Sequence, residues 1–303
     1  MSTAVRVPLR FRIGARTLWS VPRRLVRVAL SLEEALAGAV PPLPPLDGAD
    51  GWSVTSVPQA GLAARTAPAA ATIRYERQRY TRYYVDLTAG HEAWWNGLSA
   101  NQRSGLKRKA KRLAAGGELD VRAYRAPHEL EAFHPLARAV SATTYQERLM
   151  DAGLPDTPAF RDAMLRAAAG GQVRAWILFV DGAPAAYLYS PRRGASMIYD
   201  HVGHDPRLND LSPGAVLQWA ALKDLFADPA GARYFDFTEG EGQHKRSMAS
   251  GGIACVDLLL LRPTPMNRAL LAALRAFDGG AAWGKAALGR WGLAHWAKRL
   301  RRG

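Results

Sequence analysis

Apolar and charged residues alternate along the N-terminal third of the chain. Within residues 5–30, runs such as VRV and LRFRI place an apolar side chain at every second position, which predicts β-strand. Ile73–Asp86 repeats this alternation with many Tyr and Arg residues and predicts one or two further strands. The proline-rich residues 41–45 predict a stiff linker, and residues 60–71 show little pattern and predict a loop.

A helix is predicted to begin at Ser99, because Ser99 and Gln102 have the spacing of a capping box. One apolar stripe runs along this helix, and Gly116-Gly117 end it. The stripe consists of Leu106, Ala110 and Leu113. The other faces carry only positive charge, from Arg103, Lys107, Arg108, Lys109, Lys111 and Arg112. This surface is either a solvated face or a docking site for an acidic donor or acceptor.

The pattern from residue 119 onward alternates between strands and helices. Asp181-Gly182 joins two of the strands and suits a type I′ hairpin turn. The predicted strands are Leu119–Tyr124, Val173–Val180, 183–190, 196–203, 234–237 and 253–261; the predicted helices are Pro127–Ser141, Pro158–Ala169, Pro213–Ala227 and the tail from Pro263. This order predicts an α+β fold with a mixed, mostly antiparallel sheet.

Composition limits the class of protein more than it identifies it. The net charge of +15 favours partners that carry negative charge, such as CoA phosphates, an acyl carrier protein, tRNA or an anionic membrane. The single cysteine, Cys255, lies in an apolar strand and excludes a disulfide framework. No His, Asp and Glu spacing suggests a metal site. No apolar run reaches the length of a membrane span or a signal-peptide core, so a cytoplasmic location is expected.

Ser212-Pro213-Gly214 starts a helix directly after a strand. Proline suits the first helical turn because its missing N–H group would have no helical partner there. The N–H groups of the next four residues would then point, with the positive end of the helix dipole, at an anion. These residues are Gly214, Ala215, Val216 and Leu217. The competing interpretation is an ordinary helix start without a ligand.

Acidic and basic residues gather at the ends of two predicted strands. Glu239 and Asp236 follow one strand and are the first candidates to accept a proton, and His201 at the other strand is the next candidate. Lys245 follows a glycine-rich acidic turn and could neutralise a phosphate or a developing oxyanion. Each residue also has a structural interpretation: strand-end carboxylates bind backbone N–H groups, and lysines and histidines are often solvated or packed.

Three blocks of residues resemble the GNAT superfamily, in the branch of cellulose- and exopolysaccharide-associated (CelD-like) acetyltransferases related to the Fem peptidyltransferases. The resemblance covers residues 95–261. The first block is Trp95-x-x-Leu98-Ser99 with the basic helix that follows, the second runs from Asp181-Gly182-x-Pro184 through Tyr199-Asp200 to Ser212-Pro213-Gly214, and the third is Asp236-Phe237-x-x-Gly240 with His244-Lys245. The family usually has Tyr-Lys where this chain has His244-Lys245.

The resemblance implies the GNAT fold and an acyltransferase that uses acyl-CoA, with acetyl-CoA as the first choice, or an acyl carrier protein. In that fold the two strands diverge and the acyl thioester enters the gap, while the CoA pyrophosphate binds at Ser212–Leu217. The expected acceptor is an amine or hydroxyl group in the synthesis of cell-envelope polysaccharide or lipid. Two alternatives stay open: Fem-like aminoacyl transfer from charged tRNA, and a catalytically silent module that binds a membrane or a partner protein.

Three segments are predicted. Residues 1–90 are β-rich and, by the tandem architecture of the family, a reduced second GNAT-like half. Residues 91–262 form the acyltransferase domain. Residues 263–303 form a basic helical tail with eight Lys or Arg residues and one acidic residue, Asp278. This tail either packs against the N-terminal strands or contacts the inner membrane peripherally.

Overall fold

The computed structural model describes residues 4–13, 16–66, 71–144, 153–240 and 242–290. Contacts divide the chain into two compact units. The first unit comprises residues 1–30, 34–79 and 255–303, and the second comprises residues 31–33 and 80–254. The predicted division at residues 90 and 262 stays a prediction.

The first unit contains a four-stranded sheet in the order β1-β2-β3-β11. β1 pairs antiparallel with β2, β2 parallel with β3, and β3 antiparallel with β11. The elements are β1 (Val5–Ile13), β2 (Arg16–Ala29), α1 (Leu32–Leu36), β3 (Gly51–Pro58), α2 (Leu62–Thr66), the first half of β4 (Ile73–Asp86), most of β11 (Gly251–Leu261) and α9 (Pro265–Arg290). Leu270, Leu271 and Leu274 of α9 pack on the apolar residues of β1.

The second unit contains strands in the order β4-β10-β8-β7-β6-β5, and β9 pairs with β7 outside this order. The strands after β4 are β5 (Leu119–Tyr124), β6 (Val173–Val180), β7 (Ala183–Arg193), β8 (Ser196–Ile198), β9 (His201–His204) and β10 (Tyr234–Asp236). The helices are α3 (His91–Gly97), α4 (Ala100–Ala114), α5 (Pro127–Ser141), α6 (Pro158–Ala169), α7 (Pro213–Ala227) and α8 (Gln243–Met248). The predicted α+β fold with a mixed, mostly antiparallel sheet is confirmed.

Side-chain alternation in β6 and β7 gives this sheet two apolar faces. Trp176 and Leu188 point to one face, where they pack with α7, α4 and α3. Tyr187 and Tyr189 point to the other face, where α5 and α6 cover them. Successive residues of a strand point to opposite faces, so the place of a residue along the strand determines which helices its side chain contacts.

Two local predictions are confirmed by backbone geometry. The Ser99 hydroxyl accepts the Gln102 N–H at 3.2 Å, and the Gln102 side chain accepts the Ser99 N–H at 2.7 Å, which is the predicted capping box. Asp181 and Gly182 have φ angles of 48° and 73°, as a type I′ turn requires at both central positions.

Other predictions need correction. Residues 60–71 are not all loop, because α2 occupies Leu62–Thr66. Residues 196–203 do not form one strand: the chain leaves the strand geometry at Tyr199-Asp200 and divides into β8 and β9. The physical reason is pairing, because β8 is bonded to both β7 and β10, whereas β9 continues along β7 with its register shifted by one residue. The tail is helical up to Arg290, and the predicted basic residues Lys298, Arg299, Arg301 and Arg302 lie outside the described residues.

Candidate active site

Two strands part at the centre of the second unit. β8 runs parallel to β10, and the Tyr199 N–H donates to the Asp236 carbonyl at 2.9 Å where this pairing ends. Beyond that point β9 continues along β7, while the Phe237 N–H donates to the Tyr83 carbonyl of β4 at 3.0 Å. The divergence leaves a wedge with Tyr199 and Asp200 on one side and Phe237 and Thr238 on the other.

The helix that follows β9 begins beside its last residue. A 3₁₀ turn over Pro206–Leu211 leads to Ser212, whose φ of 56° is unusual for a residue other than glycine. A Cβ atom at Gly214 would lie 3.5 Å from the His204 Nδ1 atom and would meet no second atom within 4 Å. Space beside the first turn of α7 is therefore open on the side where His204 stands.

Fewer than the four predicted N–H groups at the start of α7 are available to bind an anion. The N–H groups of Ala215 and Val216 donate to the Ser212 carbonyl at 3.1 and 3.4 Å. Val216 and Leu217 are buried in the core, as is Pro213. The half-buried residues at this helix end are Ser212, Gly214 and Ala215, so the surface that an anion could reach is centred on Gly214.

Asp236 lies at the base of the wedge and is fully buried. Its two carboxylate oxygens accept hydrogen bonds from Arg82 Nε at 3.2 Å and Arg82 Nη2 at 2.5 Å, and the Thr238 N–H donates to it at 2.8 Å. These hydrogen bonds fix the loop after β10. The structural role that was the alternative for Asp236 thus has direct geometric support.

Glu239 and Lys245 lie next to Asp236. The Lys245 ammonium donates to the Glu239 carbonyl oxygen at 2.7 Å, and the Glu239 side chain is exposed. Burial lowers the pKa of Lys245 below its ordinary value, while the negative charges of Glu239 and Asp236 act in the opposite direction. Lys245 belongs to α8 rather than to the turn before it, so a helix holds its backbone in place. The sequence correctly brought these three residues together.

His201 lies on the other face of the sheet. Its ring contacts Phe160 and Tyr189, at centroid distances of 5.6 and 6.0 Å, in the core covered by α5 and α6. Burial lowers the pKa of His201, the Asp200 carboxylate raises it, and Arg193 lowers it further. Alternation along β9 directs His204 rather than His201 toward α7.

Three residues at this site were not among the predicted site residues. The Tyr199 ring stands at the point of divergence, 5.6 Å from the Phe237 ring and 6.0 Å from the His244 ring, and burial raises its pKa. His204 Nε2 is 2.7 Å from Asn209 Oδ1, which orients the imidazole beside Gly214. Arg82 neutralises Asp236. The two-residue periodicity of β9 was the signal that could have found His204.

Among the described residues, six other than glycine have positive φ angles, and two of these flank this site. Ser212 precedes α7, and Thr238, with φ of 61°, follows β10. Backbone conformations of this kind cost free energy and persist where the surrounding structure fixes them, often at functional sites. The Thr238 N–H is held by the Asp236 carboxylate, which supplies that fixation.

The arrangement provides the groups that acyl transfer needs. Two strands part beside Tyr199 and Phe237, a helix N-terminus offers a positive dipole end for a phosphate, and the Glu239 carboxylate is exposed and can accept a proton. Within the described residues no cluster of three or more His, Cys, Asp or Glu side chains could hold a metal ion. The described helices also include none with the length and apolar character needed to cross a membrane.

Comparison with known proteins identifies the domain. Residues 100–246 match the model of the acetyltransferase (GNAT) domain family. No sequence among the curated proteins matches this chain. The predicted GNAT fold is therefore confirmed for this part of the chain, whereas the CelD-like branch stays a prediction.

Solved structures with the same fold extend over most of the chain. The structure of FemX matches with 10% identity and a TM-score of 0.52, covering 89% of this chain and 91% of that one. The C-terminal domain of a protein named as a lysylphosphatidylglycerol synthetase from Agrobacterium fabrum matches with 13% identity and a TM-score of 0.51, covering 76% and 72%. L-PGS from Bacillus licheniformis matches with 14% identity and a TM-score of 0.50, covering 76% and 73%. At these identities the likeness concerns the fold alone.

Proposed function

We propose, from the acetyltransferase (GNAT) domain at residues 100–246, that this chain is an acyltransferase. It takes an acyl group from acyl-CoA, with acetyl-CoA as the first choice, or from an acyl carrier protein, and transfers it to an amine or hydroxyl group. The observation that carries this proposal is the divergence of β8–β9 from β10 beside the first turn of α7. We further propose an acceptor in cell-envelope polysaccharide or lipid synthesis, on the CelD-like resemblance alone.

The N-terminus of α7 supplies the binding site for the diphosphate of the acyl donor. The open space at Gly214 would let a diphosphate approach the backbone, and its negative charge would lie at the positive end of the helix dipole. His204 stands beside this space and, when protonated, would add a donor. The contacting groups are then Ser212, Gly214, Ala215 and His204. Val216 and Leu217 contribute through the core that fixes the helix.

The reaction needs a neutral nucleophile and a group that accepts its proton. The acceptor nitrogen or oxygen attacks the thioester carbonyl carbon, the C–S bond breaks, and the thiolate leaves and is protonated. Glu239 is the first candidate to take the proton from the attacking group, because its side chain is exposed whereas both oxygens of Asp236 are already occupied. Asp236 then acts by holding Arg82 and the Thr238 backbone in place.

Lys245 is placed to stabilise negative charge. Its ammonium is partly buried, next to Glu239 and Asp236, and reaches the carbonyl of Glu239. A cation held in partly desolvated surroundings interacts more strongly with a developing oxyanion, or with a donor phosphate, than a solvated one does. The opposite-face position of His201 makes it a weaker candidate for proton transfer than Glu239.

A thermal-shift screen tests this function. The full-length protein is heated with acetyl-CoA, with longer acyl-CoAs, with an acyl carrier protein and with tRNA, because a ligand of the native state raises the midpoint of unfolding. We expect a rise of several degrees with an acyl-CoA or with the carrier protein. If no thioester raises the midpoint, the acyltransferase assignment is wrong.

One observation favours a second candidate, Fem-like transfer of an aminoacyl group from charged tRNA. Exposed cations cover α4 at Lys107, Arg108, Lys111 and Arg112, and within the described residues none of their side chains has a hydrogen bond or an ion pair. A polyanionic donor would bind such a face with a strong dependence on salt. Salt-sensitive binding of tRNA, lost on changing Arg108, Lys111 and Arg112 to Gln, would support this candidate over the first.

A further inference from the structure

Large apolar side chains are exposed mainly in the first unit. Among the described residues nine large hydrophobic side chains are exposed, and Val121 is the only one of them in the second unit. Three of the others lie together at the end of the β1–β2 hairpin: Ile13, Leu18 and Trp19, which are 57%, 52% and 64% exposed. Exposed apolar residues in one place indicate an interaction site, whereas scattered ones do not.

A register shift places Leu18 outside the strand pairing. Phe11 pairs with Trp19 and Arg12 pairs with Thr17, so Leu18 is the extra residue of a β-bulge and has no partner across the hairpin. Trp19 stacks on Phe11 at a centroid distance of 5.2 Å, and Phe11 in turn contacts Phe277 of α9. Trp19 and Ile13 therefore lie on the same face of the hairpin as Phe11, and they are largely exposed although Phe277 supports Phe11 from within the unit.

Arginines occupy the outer face of the same hairpin. Residues 1–30 contain seven Arg and no acidic residue. Arg6, Arg10 and Arg12 are exposed, and within the described part of the chain their guanidinium groups have no hydrogen bond and no ion pair. Arg6 pairs in register with Arg24, and like charges opposite each other destabilise a sheet. A partner of negative charge would relieve this repulsion.

The two faces of the hairpin have different surroundings. The alternate residues Val7, Leu9 and Phe11 are buried against Leu270, Leu271 and Leu274 of α9. Helix α9 thus already covers the inner face from Val7 to Phe11. Two parts of the hairpin are left uncovered: the row of arginines on the opposite face, and the apolar residues at the hairpin end, of which Ile13 and Trp19 lie on the Phe11 face and Leu18 at the bulge. We name them together the hairpin patch: Arg6, Arg10, Arg12, Ile13, Leu18 and Trp19.

We propose that the hairpin patch docks this protein on an anionic lipid bilayer. Ile13, Leu18 and Trp19 enter the interface between headgroups and acyl chains, and the arginines bind the phosphate groups of the lipids. Tryptophan favours this depth because its ring is apolar and its N–H group is polar. Each basic residue near an anionic surface adds to the binding free energy, and apolar burial adds a part that salt does not screen.

The composition of the patch favours lipid over nucleic acid. Binding of single-stranded nucleic acid uses several aromatic rings along a basic groove, whereas this patch has one exposed indole between two aliphatic side chains. Aliphatic side chains at a basic surface gain nothing from a phosphate backbone, but they gain free energy in a bilayer interface. The inference does not depend on the proposed acyl transfer.

Sedimentation with vesicles tests the proposal. The full-length protein is mixed with phosphatidylcholine vesicles that contain or lack phosphatidylglycerol. The triple variant R6Q/R10Q/R12Q removes three charges from the patch, and R108Q/K111Q/R112Q removes three exposed charges from α4 as the matched control. We expect the wild type to bind only the anionic vesicles, the hairpin variant to bind at least about tenfold more weakly, and the α4 variant to bind nearly as the wild type does.

A fluorescent label reports insertion directly. The single native cysteine, Cys255, is buried, so Leu18→Cys can be labelled selectively with an environment-sensitive dye, and Arg108→Cys serves as the control. Anionic vesicles should shift the emission of the Leu18 label to the blue and leave the Arg108 label unchanged. Equal shifts, equal sedimentation of the two triple variants, or no binding by the wild type would overturn the proposal. If RNA binding and not vesicle binding were lost in R6Q/R10Q/R12Q, the patch would be a nucleic-acid surface instead.

Discussion

Arg82 of β4 and the arginines on the outer face of the β1–β2 hairpin lie in opposite surroundings. Arg82 has a side chain only 8% exposed, and both oxygens of a buried carboxylate accept its hydrogen bonds. Arg6, Arg10 and Arg12 are exposed and have no acidic partner in the described part of the chain. Where a charge is already paired it holds the fold together, and where it is unpaired it is available to a ligand.

The same contrast applies within the wedge. Asp236 and Glu239 are three positions apart, but Asp236 is occupied by Arg82 and Thr238 whereas the Glu239 side chain is exposed. Residue type alone made both of them candidates for the same role. Burial and partners separate them into a carboxylate that positions the loop and one that can take part in chemistry.

Loss of the buried arginine should have the largest effect. Arg82→Met leaves Asp236 buried without its counter-charge, and breaking a buried pair on one side typically costs about 3–5 kcal/mol. Urea unfolding measures this loss. The control is Arg79→Met, since the exposed Arg79 side chain forms an ion pair with the surface residue Glu76, and it should cost less than about 1 kcal/mol. Equal losses in the free energy of unfolding would mean that the buried Arg82 stabilises the fold no more than the exposed Arg79 does.

Changes at Glu239 and Lys245 should lower turnover and leave the free energy of unfolding nearly unchanged. Glu239→Gln removes the proposed proton acceptor and Lys245→Ala the proposed cation, so each should lower turnover at least about tenfold, the lower edge for a lost proton-transfer group. Steady-state rates with the acyl donor that binds test this. Arg246→Gln, an exposed neighbour on α8, is the control. Wild-type rates in both variants would refute the assignment.

Removal of an exposed hairpin arginine should leave stability intact or raise it slightly. Arg6 faces Arg24 across the hairpin, and relief of that repulsion is worth about 0.2–1 kcal/mol by the usual size of cross-strand pair effects. Arg6→Gln is compared with wild type by urea unfolding at low salt, and the difference should shrink as salt is added. A clear destabilisation by Arg6→Gln would mean that this arginine holds the fold.

The smallest effect concerns His201. Burial lowers its pKa in the folded protein below the ordinary value of 6.5, so the unfolded chain binds more protons and the free energy of unfolding rises with pH through that window. Stability is fully present above about pH 6.5 and is lost as the pH falls toward the folded pKa. Unfolding of His201→Phe at several pH values should show a shallower slope there. An unchanged slope would mean that His201 does not titrate differently on folding.

The sequence predicted elements with strong local signals and missed those decided by pairing. The capping box at Ser99 and the Asp181-Gly182 turn depend on a few neighbouring residues, and both were found. The break at Tyr199-Asp200 was missed because each half of that segment alternates like a strand. Pairing divides it, since β8 lies between β7 and β10 whereas β9 continues along β7 in a shifted register.

The candidate site was found in part for the same reason. Asp236, Glu239 and Lys245 are close along the chain, and the structure brings Lys245 near both carboxylates, while their roles in the reaction stay predictions. His201 and not His204 was chosen as a site residue. Which histidine of this short strand faces α7 depends on how the neighbouring residues pack, and the sequence pattern does not show this. Arg82 was overlooked because its partner is 154 residues away, and no local pattern indicates a buried pair over that separation.

Binding of an acyl-CoA to variants of Gly214 tests the central claim most directly. A methyl group at this position meets only His204 Nδ1, at 3.5 Å, so Gly214→Ala and Gly214→Val should fold while filling the space beside the helix N-terminus. Calorimetry should give a dissociation constant that rises from wild type to Ala to Val, by about tenfold or more for Val, with little change in the midpoint of unfolding. An unchanged dissociation constant across the three proteins would contradict the claim that the first turn of α7 binds the donor.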